Sequence, residues 1–145
     1  MSLHVVERSA IVPFLPAQMF ALVNDVARYP EFLPWCIGAH SEQLSDSEVL
    51  ATVKVHKGVL RTTFSTRNTL RSDAQILMRL VEGPFRNLQG EWRFEAIGER
   101  GSRVFLRVEF EFKKRLLAAA LNPLFEAMCS TMVDAFVLRA RTIYR

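Results

Sequence analysis

Metal-ligand spacings, long apolar runs and paired catalytic groups are all missing from this chain, and each absence removes a class of function. Cysteine occurs twice, at Cys36 and Cys129, far apart and outside any CxxC, and the three histidines, His4, His40 and His56, fall in separate segments. A zinc site or dithiol redox centre therefore lacks its ligands. No metal and no required cofactor is expected, and both thiols read as apolar fillers in a reducing compartment. No run approaches the roughly 18 apolar residues of a spanning helix. The N-terminus mixes His4, Glu7 and Arg8 among apolar residues, where a signal peptide would carry an apolar core. A cytoplasmic protein, at most peripheral to the inner face of a membrane, is expected. Internal repeats, linkers and low-complexity tracts are absent as well. One domain over residues 1–145 is the natural count, long enough to bury roughly 68–70% of its unfolded surface.

Excess charge of one sign is also scarce. Nineteen Lys and Arg against fifteen Asp and Glu give +4, which suits an anionic membrane surface or RNA but equally serves solubility. The basic residues are scattered as Lys54, Lys57 and Arg61, then Arg67 and Arg71, and finally Arg139, Arg141 and Arg145. Only Lys113-Lys114-Arg115 forms a cluster, at the point where a strand should hand over to a helix. Lys54, Lys57, Arg61, Lys113, Lys114 and Arg115 are the candidate face for an anionic partner, with a solvated turn as the plain alternative for the triplet.

What is abundant is apolar: hydrophobic residues make up 50% of the chain and eleven are Phe. That is enough for a solid core, or for a core with a walled cavity, and composition leaves both open. Residues 3–12, bounded by Pro13, read as a first strand. Pro16 at a first helical position, with Met19, Phe20, Leu22, Val23 and Val26 at helical spacing, predicts a short helix to about Ala27. From Gly38 to Lys113 the period changes to two. Val104, Leu106, Val108, Phe110 and Phe112 alternate with charged residues, and Leu88, Gly90, Trp92 and Phe94 do likewise. Strands are also expected over 39–46, 48–57, 59–70 and 75–82, separated by Ser45-Asp46, Lys57-Gly58 and Ser72-Asp73. With the first, that makes about seven. Asn122-Pro123 reads as an N-cap followed by proline, opening a closing helix of about 22 residues, about 33 Å long.

The stretch Tyr29-Pro30-Glu31-Phe32-Leu33-Pro34-Trp35-Cys36 stands apart. Each proline biases its predecessor toward extended backbone and lacks a donor, so neither a continuous helix nor a central strand fits. Such a stiffened apolar knob has to be buried or has to touch something. Together with Val12-Pro13-Phe14 and Val81-Glu82-Gly83-Pro84-Phe85, it resembles the coenzyme-Q-binding branch of the START-like, polyketide-cyclase-like superfamily, a branch that also holds the bacterial ribosome-association toxins. The matching motif residues are Pro13, Tyr29, Phe32, Pro34, Cys36, Gly83, Pro84 and Phe85. Gly83-Pro84 reads first as a bend ending a strand and second as a cavity lid. Eukaryotic relatives carry mitochondrial transit peptides, so a bacterial chain or a mature form is expected.

The resemblance implies an α+β helix-grip fold, START-like and Bet v 1-like: a curved antiparallel sheet of about seven strands, two short N-terminal helices and a long C-terminal helix. It implies a cavity for ubiquinone or a related polyprenyl lipid, held by a quinone chaperone that supports respiratory electron transport. The alternative is a type II toxin that binds the large ribosomal subunit and blocks subunit joining; a polyketide cyclase comes third. Trp35 matches the quinone-binding members, where the toxin branch has glycine, and makes the knob apolar enough to dock on a bilayer. Expected lining residues are Phe20, Phe32 and Trp35 near the mouth, Phe64, Met78, Trp92, Val108 and Phe110 from the sheet, and Leu124, Met128, Met132 and Phe136 from the helix. As gap fillers the methionines would serve a solid core equally well. No catalytic residue is assigned. Arg67, Asn68, Asp134 and Arg139 form no signature spacing, Arg67 and Asn68 are expected to point outward or bound a strand, and an enzyme is not expected.

Overall fold

The alternation of apolar and charged side chains builds the sheet. In the computed structural model, which describes residues 3–144, seven antiparallel strands form one sheet in the order β1-β7-β6-β5-β4-β3-β2. They are β1 (His4–Val12), β2 (Cys36–Ser45), β3 (Glu48–Lys57), β4 (Leu60–Arg71), β5 (Gln75–Glu82), β6 (Phe85–Ile97) and β7 (Gly101–Phe112). Arg145 lies outside the described residues. In β7 every even position from Ser102 to Phe112 is buried, because a period of two puts one face of a strand on the core. β3 and β5 occupy the spans expected of them, and the remaining strands differ by a few residues at their ends.

Helix α1 (Pro16–Asn24) starts on Pro16, and the Gln18 side chain accepts the Leu15 N–H at 2.8 Å, satisfying a donor at the helix start. A 3-10 helix (Val26–Glu31) follows and carries Pro30 within it. The closing helix α2 (Arg115–Ile143) differs from expectation. It is one element of 29 residues that runs through Pro123 instead of starting there. The Leu- and Ala-rich stretch before the proline has high helix propensity, and Pro123 sits on the exposed side. Its inner face, Phe125, Met128, Cys129, Val133, Phe136, Val137 and Ala140, is buried. By length and composition alone α2 is apolar enough to cross a bilayer, contrary to the expectation that nothing approaches a span; here that inner face belongs to the core.

The knob is folded inward, the buried one of its two expected arrangements, with Phe32 and Trp35 half-buried. Tyr29 donates its hydroxyl to the Val23 carbonyl, Leu33 N–H bonds Tyr29 O at 2.9 Å, and His56 N–H bonds Trp35 O at 2.9 Å, tying the knob to β3. Phe136 of α2 meets the rings of Tyr29, Phe32 and Trp92 edge-on, with centroids 5.4, 5.1 and 5.3 Å away. Tyr29, Leu33 and Cys36 are buried as a result.

Candidate functional site: an apolar cavity under the long helix

Between the sheet and α2 the packing leaves a cavity of about 90 Å³. Inward positions of five strands wall it: Ala51 and Val53 from β3, Phe64, Thr66 and Asn68 from β4, Met78 from β5, Leu88, Gly90 and Trp92 from β6, and Leu106 and Val108 from β7. Phe125, Met128, Cys129 and Met132 of α2 form the roof, and Val26, Tyr29 and Trp35 close the end nearest the knob. Gly90 helps make the space, because a Cβ there would collide with Met78 Cε.

Of the side chains expected to line such a site, Trp35, Phe64, Met78, Trp92, Val108, Met128 and Met132 come together around it. The others go elsewhere for identifiable reasons. Phe110 is locked in an aromatic cluster with Phe112 and Phe125. Phe136 is enclosed by Tyr29, Phe32 and Trp92. Phe20 packs on Phe94, and Leu124 lies over the β3–β4 turn at Gly58. Phe32 lines a separate surface groove of about 680 Å³ with Pro34, His56, Lys57, Asp134 and Arg139. Trp35 borders both spaces and partitions them.

A water's share of liquid volume is about 30 Å³, whereas ligand pockets commonly run to about 300–1,000 Å³. In this closed form the cavity therefore holds no more than a few waters' volume, and a larger guest requires the wall to move. Met78 and Met132, unbranched and only half-buried, are the deformable parts of that wall.

Two polar side chains interrupt the apolar lining. Thr66 donates to Asn68 Oδ1 at 2.7 Å, and both residues are buried and line the cavity. The expectation that Asn68 points outward is thus corrected. It shares the inward parity of Phe64 and Thr66 along β4. Cys129 also faces the cavity, and burial, followed by Glu126, pushes its thiol up to about 12, so it stays neutral and is no nucleophile. The other polar candidates do not converge. Arg67 lies outside on Glu48 at 2.8 and 2.9 Å. Asp134 is on the groove, and Arg139 pairs with Glu31 at 2.6 Å and covers Phe32. No cluster of His, Cys, Asp or Glu among the described residues is arranged to hold a metal.

The basic candidates split three ways. Lys54 and Arg61 are exposed on the outer face of the sheet, Lys57 lines the groove, and Lys113, Lys114 and Arg115 lie at the start of α2. The outer face also carries Arg79, directly opposite Arg67 in the β4–β5 register, a pairing that strand parity alone does not reveal.

A curved antiparallel sheet gripping one long helix around an apolar cavity defines a START-like, helix-grip protein. The profile of the family described as polyketide cyclase / dehydrase and lipid transport matches residues 12–137, and the chain belongs to that family. The ribosome association toxin RatA of Pseudomonas aeruginosa is 45% identical over 144 residues, covering 99% of each chain. The mitochondrial coenzyme Q-binding protein coq10 of Schizosaccharomyces pombe is 25% identical over 92% of this chain and 84% of its own. Among solved structures, the ZhuI aromatase/cyclase from Streptomyces superposes with a TM-score of 0.88 at 16% identity, over 99% of this chain and 97% of its own. That last likeness speaks for the fold alone. The two sequence relatives carry the names of a toxin and a binding protein.

Proposed function

We propose that the chain binds ubiquinone or a related polyprenyl lipid between the sheet and α2 and acts as a quinone chaperone supporting respiratory electron transport. The observation that carries this reading is the Thr66–Asn68 pair, one polar point in an otherwise apolar wall. A quinone suits it: a ring carbonyl for the Asn68 amide, and a tail whose every buried CH₂ contributes about 0.8 kcal/mol. The name of the fission-yeast relative supports the ligand class. Entry needs Trp35 and Met132 to yield, joining the cavity to the groove of about 680 Å³. Protein purified from a quinone-producing host is expected to release a polyprenyl quinone on lipid extraction and native mass spectrometry. Met132→Asp should lose it and Lys54→Glu, on the outer face of the sheet, keep it. Asn68→Leu should weaken uptake of added quinone about tenfold, the worth of one hydrogen bond of about 1.4 kcal/mol. An empty protein that takes up no quinone would refute the proposal.

A second reading draws on a different surface. Lys54, Arg61 and Arg79 stand exposed on the outer face of the sheet, away from the cavity, and the relative at 45% identity is named a ribosome association toxin. In this reading the outer face meets phosphates of the large ribosomal subunit and blocks subunit joining. Three phosphate contacts imply a loss of affinity of about 40-fold between 50 and 200 mM salt. Co-sedimentation with large subunits is expected to show that slope, and Lys54→Glu with Arg61→Glu to flatten it. Salt-independent pelleting would count against it. The two readings use opposite faces of one sheet and exclude each other nowhere.

A further inference from the structure

The first two turns of α2 are apolar on the outside as well as the inside. Leu116 is 97% exposed and Leu117 50% exposed. Leu116, Ala119, Ala120 and Pro123 form an outward stripe at i, i+3, i+4 and i+7, the spacing that elsewhere marks the face a helix buries. Val59, 75% exposed, stands at the tip of the β3–β4 turn, beside Gly58, which lies against Leu124 of the same helix. The β5–β6 bend comes to the same end through the Lys113 N–H, which bonds the Pro84 carbonyl at 2.9 Å.

Immediately before the stripe come Lys113, Lys114 and Arg115, all exposed, and none of them forms an ion pair with a described residue. The first turn of α2 contains no acidic residue, and Glu82 at the end of β5 is the acid lining a depression shared with Lys113.

We propose that this end of the molecule docks on an anionic lipid bilayer. Leu116, Ala120 and Val59 would enter the interface, and Lys113, Lys114 and Arg115 would lie among the lipid phosphates. A bilayer surface satisfies both halves of the patch at once. Its acyl boundary takes the apolar stripe, and its anionic headgroups take the three cations. RNA would engage the cations and leave the leucines in water. The inference rests on the surface alone and holds whether or not the cavity carries a quinone.

The test is flotation of the full chain with quinone-free vesicles of phosphatidylcholine, with and without a third of phosphatidylglycerol. Binding is expected only with phosphatidylglycerol and is expected to fall with salt. Reversing Lys113, Lys114 and Arg115 to Glu together should lower the apparent affinity about a hundredfold or more, at about fivefold per cation removed. Leu116→Glu should lower it about tenfold or more. Ile11→Glu, at a 66% exposed position on β1, should leave it unchanged. Circular dichroism melts confirm folding of each variant, and Leu116 and Ile11 are exposed enough for both single variants to fold. Failure to float with phosphatidylglycerol vesicles, or equal flotation of the wild type and Leu116→Glu, would overturn the inference. So would a charge-reversed variant that loses only its binding to large ribosomal subunits, which would assign the cluster to RNA.

Discussion

Phe136 is the residue on which the knob, the sheet and the long helix all close. It is fully buried and lies edge-on to three rings from two other parts of the fold. Phe136→Ala would leave a void that no single neighbour can fill. The expected loss is about 3–5 kcal/mol, read from urea denaturation with an unchanged slope. The same residue shows where sequence reasoning stops. Its helical spacing with Met128 and Met132 places all three on the inner face of α2, and all three are buried or half-buried there. Which of them meets a cavity and which meets aromatic rings depends on the knob crossing above, and periodicity carries no information about that. Asn68 is the opposite case: its parity with Phe64 and Thr66 was sufficient to place it inside, but its polarity outweighed that signal.

Among the elements, the strands were the most legible and α2 the least. Alternation marks a strand continuously along its length, so β3 and β5 emerge with their observed bounds. A proline is a local signal, and at Pro123 it gave way to the helix propensity and packing of the turns on either side. The link between the 3-10 helix and α2 is electrostatic as well as aromatic. Arg139 hydrogen-bonds Glu31 and holds its carboxyl below the usual carboxylate range, with Arg28 adding to the effect. A depressed folded-state value means that this stabilising link is complete above the ordinary carboxylate pKa and fades as pH falls through the lower folded value. Acidification below about pH 4 should therefore loosen the knob. In a Trp92→Phe background, Trp35 emission is expected to shift to the red over that range. Glu31→Gln, which lacks the titrating group, should show no transition there.

At the scale of the molecule, the sheet is open. β2 and β1 are its two edges, each paired on one side only, while β6 and β7 are paired on both sides and share twelve register positions. β2 is mostly exposed and carries two register shifts. Native-state hydrogen exchange is expected to show β2 opening at the lowest free energy and the amides of β6 and β7 only near global unfolding. Uniform protection across the sheet would contradict that order.

The pairing of β1 with β7 matches His4 to Phe110, adding the first strand in the chain to the far end of the sequential meander β2 to β7. Every other strand pair closes through a short turn and can form early, whereas this one must wait for a loop of roughly a hundred residues to shut, at the entropic cost such a closure carries. Of the seven strands, β1 is therefore the one expected to pair last. Helix α2 packs on both β1 and β7, so the roof of the cavity is expected to settle with that closure, after its walls already stand.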